Sequence, residues 1–497
     1  MKLKGAFMAI TILLLFCCPI FAGNGVFIIS NNCIEAQKNI GALKLKKANQ
    51  LLLAEQKTNP NNLAVAYYQS CSDFYDLITS QNLNELKTFE EAKDLRLATV
   101  KLIKPESPFL LYTQSEIHLQ SALLKVFKAD YVSAMFEFKN SYNLIKQNQK
   151  KFPSFKPNLK SIGLFKALLG TTPKSYKWML NVAGLDGDYM AGMALLKQYL
   201  NAEIGPEHYL DFQAAQFYYT IFELNFGDKN TAWEFCKTAT LDHSTNLMSV
   251  YLRSFVGSKT AHNEDAIKTL ETRPKSEDFQ PFYALEYFLG FCKLNRLDED
   301  ADIHFKIFVS HFKGKMFMKD AYKRLQWFYL LKGDLAKVSA YGWMLKKYQS
   351  NPNEEEKQLA TDLNQTTSTN LILLKSKFLF DGGYYTKAEE TIKQQNQNLL
   401  KTPYQNLEYQ YRYARILQEL GKLNKAIEHF GKVVNLSPQN TPYYFAPNSC
   451  LQMGYIYKKL GFNLIAKQHF NNVGKYSKAE YIQSLEVKAE HEIELLK

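Results

Sequence analysis

Arginine is scarce in this chain. Of the 61 basic residues in 497, seven are Arg and the rest Lys, with no local Arg cluster. Base reading leans on the planar guanidinium fork, so the formal charge of +13 describes a lysine-coated surface and excludes a nucleic-acid reader. Cysteine is equally thin: seven residues, never spaced Cys-x-x-Cys. That spacing argues against a disulfide scaffold and against a zinc site. Cys33, Cys71, Cys236, Cys292 and Cys450 read as buried thiols, with a Cys33–Cys71 bridge the one pairing left open. After the first segment no apolar run reaches the roughly 18 residues a spanning helix requires. Alternating strand patterns are rare.

Catalytic patterns are missing too. Gly257-Ser258-Lys259-Thr260 lacks the upstream Gly of a phosphate loop, and His491-Glu492 has no second His at helical spacing. No Gly-x-Ser-x-Gly elbow occurs. The nine histidines are scattered; His304 and His311 share a helix, but no carboxylate cluster joins them. The acidic runs Asp298-Glu299-Asp300 and Glu354-Glu355-Glu356 suit turns and the positive ends of helices. The chain therefore reads as a non-enzyme with no cofactor and no metal.

What is present begins with an export signal. Lys2 and Lys4 precede the apolar run from Ala6 to Phe16, Pro19 breaks it, and Ile20-Phe21-Ala22 offers a cleavage site. Residues 1–22 are thus expected to direct export to the periplasm or to a peripheral membrane position. Phe16 before Cys17 is a poor lipidation site, so lipoprotein anchoring is not expected.

From about Ile34 onward helical spacing dominates, as in Leu119, Leu123 and Phe127. The helices are short and separated by small polar or Gly-containing turns, the pattern of paired helices stacked in series. The C-terminal copies are clearest. Gly383, Gly421 and Gly461 are each followed five residues later by Ala388, Ala426 and Ala466, and four further on by Ile392, Phe430 and Phe470. The Gly supplies a left-handed turn residue, the Ala the closest helix approach, and the large residue the filling between repeats. Pro438 falls where the second helix must stop. Weaker copies surround Ala122, Ala134 and Phe138, and Gly290, Ala301 and Phe305; Gly333 marks a further turn. The expected fold is all-α: stacked helical hairpins forming a tetratricopeptide-repeat-like α-solenoid. Its expected divisions are an N-terminal array over 23–200 with a Gly/Pro-punctuated block, central repeats over 201–350, and tetratricopeptide repeats over 351–497.

The block near residues 161–200 is distinctive. Ile162, Phe165, Leu168 and Leu169 form an apolar face closed by Gly170; Thr172-Pro173 starts a helix bearing Trp178, Met179 and Val182; Gly187-Asp188 opens another, with Met190, Met193 and Leu196 expected inside. The run Gly163-Leu164-Phe165, Pro173, Gly184-Leu185-Asp186-Gly187-Asp188, Gly192, Leu195-Leu196 resembles the signature of the inclusion-body-clearance family of tetratricopeptide-repeat adaptors. Gly170 and Asp186 depart from its pattern, and so does the export signal. The resemblance implies an all-helical, non-enzymatic adaptor; the partners of its relatives, which face the cytosol, do not carry over.

Two surfaces stand out. Between Glu137 and Asp186 lie nine lysines and no acid. Of these, Lys150, Lys151, Lys156, Lys160, Lys166, Lys174 and Lys177 form a candidate anionic-surface segment; the plainer reading is a solvated basic face. The concave side of the C-terminal repeats should present Tyr411, Arg415, Gln418, Tyr455, Lys458 and Lys459 to an extended peptide or a partner helix. The Lys/Asn/Arg clamp for C-terminal carboxylates is not matched: the positions carry Leu373, Lys377, Tyr411, Arg415, Leu451 and Tyr455. The expected function is a protein-binding scaffold of the cell envelope, with another envelope protein or peptide as partner. The alternative is a glycan- or nutrient-binding envelope protein. Aromatics make up 14% of the chain, but Trp is rare and their helical spacing favours packing.

Overall fold

A computed structural model describes residues 25–172, 184–185, 187–238, 242–347 and 369–496. The export segment, Pro173 to Val182, Asp186 and the run Glu354-Glu355-Glu356 lie outside the described residues, as do Lys174 and Lys177. Among the described residues there are 23 α-helices and, of β structure, only an isolated bridge between Val26 and Asn62.

The helices pack as consecutive pairs. In order they are α1 Asn31–Gly41 with α2 Leu45–Thr58, α3 Ala64–Ser80 with α4 Leu86–Val100, α5 Phe109–Phe127 with α6 Tyr131–Lys151, and α7 Pro157–Gly170 with α8 Tyr189–Asn201. Then come α9 Tyr209–Phe226 with α10 Lys229–Thr238, α11 Leu247–Lys259 with α12 Asn263–Glu271, and α13 Ala284–Arg296 with α14 Ala301–His311. The last pairs are α15 Met318–Leu331 with α16 Leu335–Lys347, α17 Leu371–Asp381 with α18 Tyr385–Lys393, α19 Pro403–Glu419 with α20 Leu423–Leu436, and α21 Phe445–Lys459 with α22 Asn463–Asn472. The single helix α23 Ile482–Leu495 follows. The all-α, solenoid-like stack of hairpins expected from the spacing is what the structure has.

Local chemistry sets the ends. Side chains of Ser30, Asp130, Asp188, Asn246, Asn370 and Thr402 accept hydrogen bonds from backbone N–H groups of the first turns of α1, α6, α8, α11, α17 and α19, satisfying donors that have no partner within the helix. Pro403 occupies the first position of α19, where its missing N–H is harmless.

One turn recurs along the chain. Gly383, Gly421 and Gly461 have φ of +81°, +73° and +83°. Leu43, Ala129 and Ala261 take the same left-handed conformation without being Gly. Counting five and nine residues on from these three gives Ala48 and Leu52, Ala134 and Phe138, Ala266 and Leu270. Each of those alanines is buried, like Ala388, Ala426 and Ala466. Six hairpins thus share one packing rule, and Gly marks only three of them.

The stack curls on itself. A Cβ placed on Gly383 would stand 2.5 Å from the Cβ of Ala261, so the α17–α18 turn rests directly on the α11–α12 turn. Beside this contact Asn263 Nδ2 donates to the hydroxyl of Tyr384 (3.0 Å). At the N-terminal end α1 packs on α9, and the backbone N–H of Gln280 donates to the carbonyl of Leu43 at 2.7 Å. The last helix returns to the earlier part of the chain: His491 on α23 meets Tyr189 and Phe226 with ring centroids 5.0 and 6.1 Å apart. Cys33 and Cys71 are free and buried, as are Cys236, Cys292 and Cys450, so no Cys33–Cys71 bridge forms. Met193 and Leu196 are buried, but Met190 is 62% exposed, because α8 turns that side to solvent.

Candidate peptide groove and the basic segment

In the C-terminal stack α17, α19, α21 and α23 pack side by side as one row of helices, the row expected to line a groove. Behind it, Ala426 and Ala466 let α20 and α22 approach α19 and α21, and Phe430 and Phe470 fill the space between repeats. A Cβ on Gly454 would stand 2.3 Å from the Phe470 ring; this glycine is required by close approach alone.

The expected groove residues divide. Arg415 lies with its guanidinium 5.1 Å from the centre of the Phe380 ring. Gln418 Nε2 donates to Gln452 Oε1 at 3.0 Å, linking α19 to α21. Tyr455 is half-buried, its ring edge-on to Phe470. Lys459 is exposed. Lys458 donates to Glu492 on α23, so α23 covers the end of the groove and takes up that charge. Tyr411 does not belong to the groove surface. It is 5% exposed and packs on Tyr444 and Phe445, with ring centroids 5.5 and 5.3 Å away. Its hydroxyl accepts from Arg415 at 3.4 Å, so it acts from beneath, as support for the guanidinium.

The basic segment is not one surface either. Lys160 is 1% exposed. Its Nζ lies 2.7 Å from Glu116 Oε2 and 2.8 Å from Asp211 Oδ1, and donates to Tyr112 Oη at 2.8 Å. Burial works against the ammonium, but Asp211 and Glu116 outweigh it and hold its pKa above the ordinary lysine value. Lys160 therefore joins α7 to α5 and α9 inside the protein and touches no anionic surface. Lys156 donates to the carbonyl of Glu203 at 2.6 Å and Lys151 to that of Pro105. Lys150 is exposed and Lys166 half-buried.

A second internal network lies nearby. Lys93 and Lys125 both approach Glu137 Oε1, at 2.8 and 2.7 Å, and His118 Nδ1 lies 2.5 Å from its other oxygen. Burial disfavours the Glu137 carboxylate, yet the hydrogen bonds from His118, Lys125 and Lys93 prevail and hold it well below the usual range.

Sequence reasoning missed Lys229 and Lys488. Lys229, at the start of α10, is exposed, yet desolvation by the surrounding protein, with Arg415 and Lys488 nearby, pulls its pKa below the ordinary lysine value. Lys488 on α23 is lowered by desolvation, then by Arg415 and Lys259. These residues carry no sequence signal, because they come from distant hairpins.

Among the described residues no group of three or more His, Cys, Asp or Glu side chains could hold a metal ion. None of their helices is long and apolar enough to cross a membrane. The tetratricopeptide repeat family profile matches residues 407–440, which run from within α19 past the end of α20. No curated protein matches the chain. The match and the serial hairpins support the general tetratricopeptide-repeat superfamily, and they suggest a scaffold for protein–protein interaction.

Proposed function

We propose that this protein is a non-enzymatic adaptor of the cell envelope that binds a protein partner along the concave face of its C-terminal repeats. The single observation that carries this reading is the row of half-buried Arg415, Gln418 and Tyr455 with exposed Lys459 on the first helices of repeats whose second helices are locked by Ala and Phe packing. Grooves of stacked helical hairpins commonly hold extended peptides or partner helices. Export rests on the sequence of residues 1–22, and an adaptor role also draws on the resemblance of the Gly163–Leu196 block to the inclusion-body-clearance family.

The test is crosslinking in intact cells with the tagged full chain, then mass spectrometry. The expected result is a reproducible envelope protein crosslinked through residues 407–480, depleted in the Gln418→Ala, Lys459→Glu double variant. Recovery of lipid or glycan alone would contradict the proposal and favour the glycan- or nutrient-binding alternative. N-terminal sequencing of the mature protein tests export separately: a start just after Ala22 is expected, and an intact Met1 would contradict it.

A further inference from the structure

We infer that the outer face of α6 lies on an anionic lipid surface, its apolar first turns among the headgroups and its later lysines on the phosphates. The inference does not rest on the groove. It starts from a hairpin that breaks the pattern of its sisters. In the six hairpins that share the left-handed turn, the seventh residue after the turn residue is exposed on the second helix. Five of them carry a polar side chain there: Gln50, Lys268, Glu390, Glu428 and Gln468. The α5–α6 hairpin carries Phe136, 66% exposed. Val132 stands one turn earlier, where α20 has Asn424, and is 71% exposed. The buried side of α6 runs through Ala134 and Glu137, so the packing rule requires neither apolar side chain.

These residues form one patch. Tyr131, Val132, Met135 and Phe136 are spaced by one and four residues, which puts them on one side of the first two turns. Tyr131 is 65% exposed and Met135 40%. The exposed Val126 stands across the turn at the end of α5, where its carbonyl accepts from the N–H of Ala129 at 2.9 Å. Single exposed apolar side chains are ordinary; a contiguous group marks a binding surface.

The charge on this side has one sign. Beyond Phe136 the exposed positions of α6 include Lys139, Lys146 and Lys150, with Asn140, Asn143 and Gln147 between them, and Lys128 is exposed in the turn. Among the described residues none of these four lysines has an ion-pair partner. Glu137, the one acid of α6, is buried on the opposite face with Lys93, Lys125 and His118. Asp130 is engaged by the helix start, accepting from the N–H of Ser133 at 3.2 Å. The helix α4, with its exposed Glu91 and Asp94, meets α6 on the Glu137 face through Lys93. An aromatic and aliphatic start followed by unpaired lysines is the chemistry of a helix lying in a membrane interface. An acidic protein would need a socket for each ring, whereas a leaflet accepts rings and lysines together. Lys160 sits in its internal ion pairs and takes no part.

The test is flotation of the full chain with phosphatidylcholine vesicles and with equimolar phosphatidylcholine–phosphatidylglycerol vesicles, at low and high salt. Residues 1–22 are common to every chain compared. Binding to the anionic vesicles, weakened by salt, is expected, with at least about tenfold less binding to the neutral ones. The Val132→Asn, Phe136→Gln double variant takes side chains that sister hairpins carry, so it should keep the wild-type Tm and lose about tenfold or more in binding. The Lys128→Gln, Lys139→Gln double variant should lose about tenfold. In Phe136→Trp the anionic vesicles should shift the emission of the added indole to the blue. Equal binding to both vesicles, undiminished binding in a folded variant, or an unshifted Trp would each overturn the inference. If the apolar variant melts several degrees lower, the lysine variant and the Trp shift decide. If no vesicle binds and a photocrosslinker at Phe136 captures a protein in intact cells, the lipid reading falls and the face belongs to a protein partner. None of these results touches the crosslinking test of the groove.

Discussion

In the hairpin α19–α20 the buried positions of the second helix are Ala426, Phe430 and Val433. In the hairpin α5–α6 the buried set includes Ser115, Glu116, Glu137 and Ser141, with Ser115 Oγ donating to the carbonyl of Ser141 at 2.9 Å. Both are antiparallel helix pairs closed by a left-handed turn. One is joined to its neighbours by apolar filling, the other by internal ion pairs. Apolar filling tolerates small shifts of one helix along another; a buried ion pair does not, because a slip of one turn leaves charges unpaired in a poorly solvated interior. Lys160 reads out the relative positions of α5, α7 and α9, and Glu137 those of α4, α5 and α6. The joints between α4 and α9 are therefore keyed by buried charge and the α19–α20 joint by shape, although Lys422–Glu389 and Lys458–Glu492 also link C-terminal repeats.

Removing a key tests this contrast most strongly. Lys160→Met would leave Glu116 and Asp211 buried without their cation, and is expected to cost about 3–5 kcal/mol in chemical denaturation. The pH response should also change sign. In the wild type, burial opposes the Asp211 carboxylate but Lys160 and His208 outweigh it, so its folded pKa lies below the unfolded one. Its stabilisation is present above the unfolded value and lost as pH falls below about 4. In Lys160→Met the same carboxylates become harder to ionise, so stability should rise as the pH is lowered towards that range. A variant as stable as wild type with an unchanged acid limb would refute the keying.

Shape comes next. Ala426→Leu places a larger side chain where α19 and α20 approach most closely, and about 1–3 kcal/mol of destabilisation by overpacking is expected in thermal melts. An unchanged melting curve would contradict the packing rule. The turns give the smallest effects. At Gly421 an added Cβ meets nothing within 4 Å, so Gly421→Ala isolates backbone strain at φ +73° and should cost about 1 kcal/mol. Ala129→Gly, at the equivalent turn, should fall within about 0.5 kcal/mol of neutral, since relieved strain is offset by the greater freedom of the unfolded chain. If the two substitutions had equal effects, the turns would not be equivalent.

The same contrast explains what could be read in the sequence. Gly421, Ala426 and Phe430 lie within ten consecutive residues, so their spacing exposes both fold and register. Leu43 and Ala261 make the same turn without Gly, so a glycine-led reading passes over them although Ala48 and Ala266 stand at the right offset; the Ala129 turn also lacks Gly, and that copy is legible only through Ala134 and Phe138. The lysine run from Lys139 to Lys177 looks uncompensated locally because the partners of Lys160 lie 44 and 51 residues away. Helical register alone puts Tyr411 in the groove. It is covered because Tyr444 and Phe445 at the next helix entry pack over its ring. Register along one helix could place Arg415 and Gln418, but says nothing of Lys229 or Lys488, which lie on other hairpins.

The most direct measurement is site-specific photocrosslinking in intact cells, with the probe at Gln418 on the concave face and, as control, at the exposed Asn424 on α20. The account predicts a discrete protein adduct from position 418 and none from 424. The same adduct from both positions, or none from 418, would contradict it.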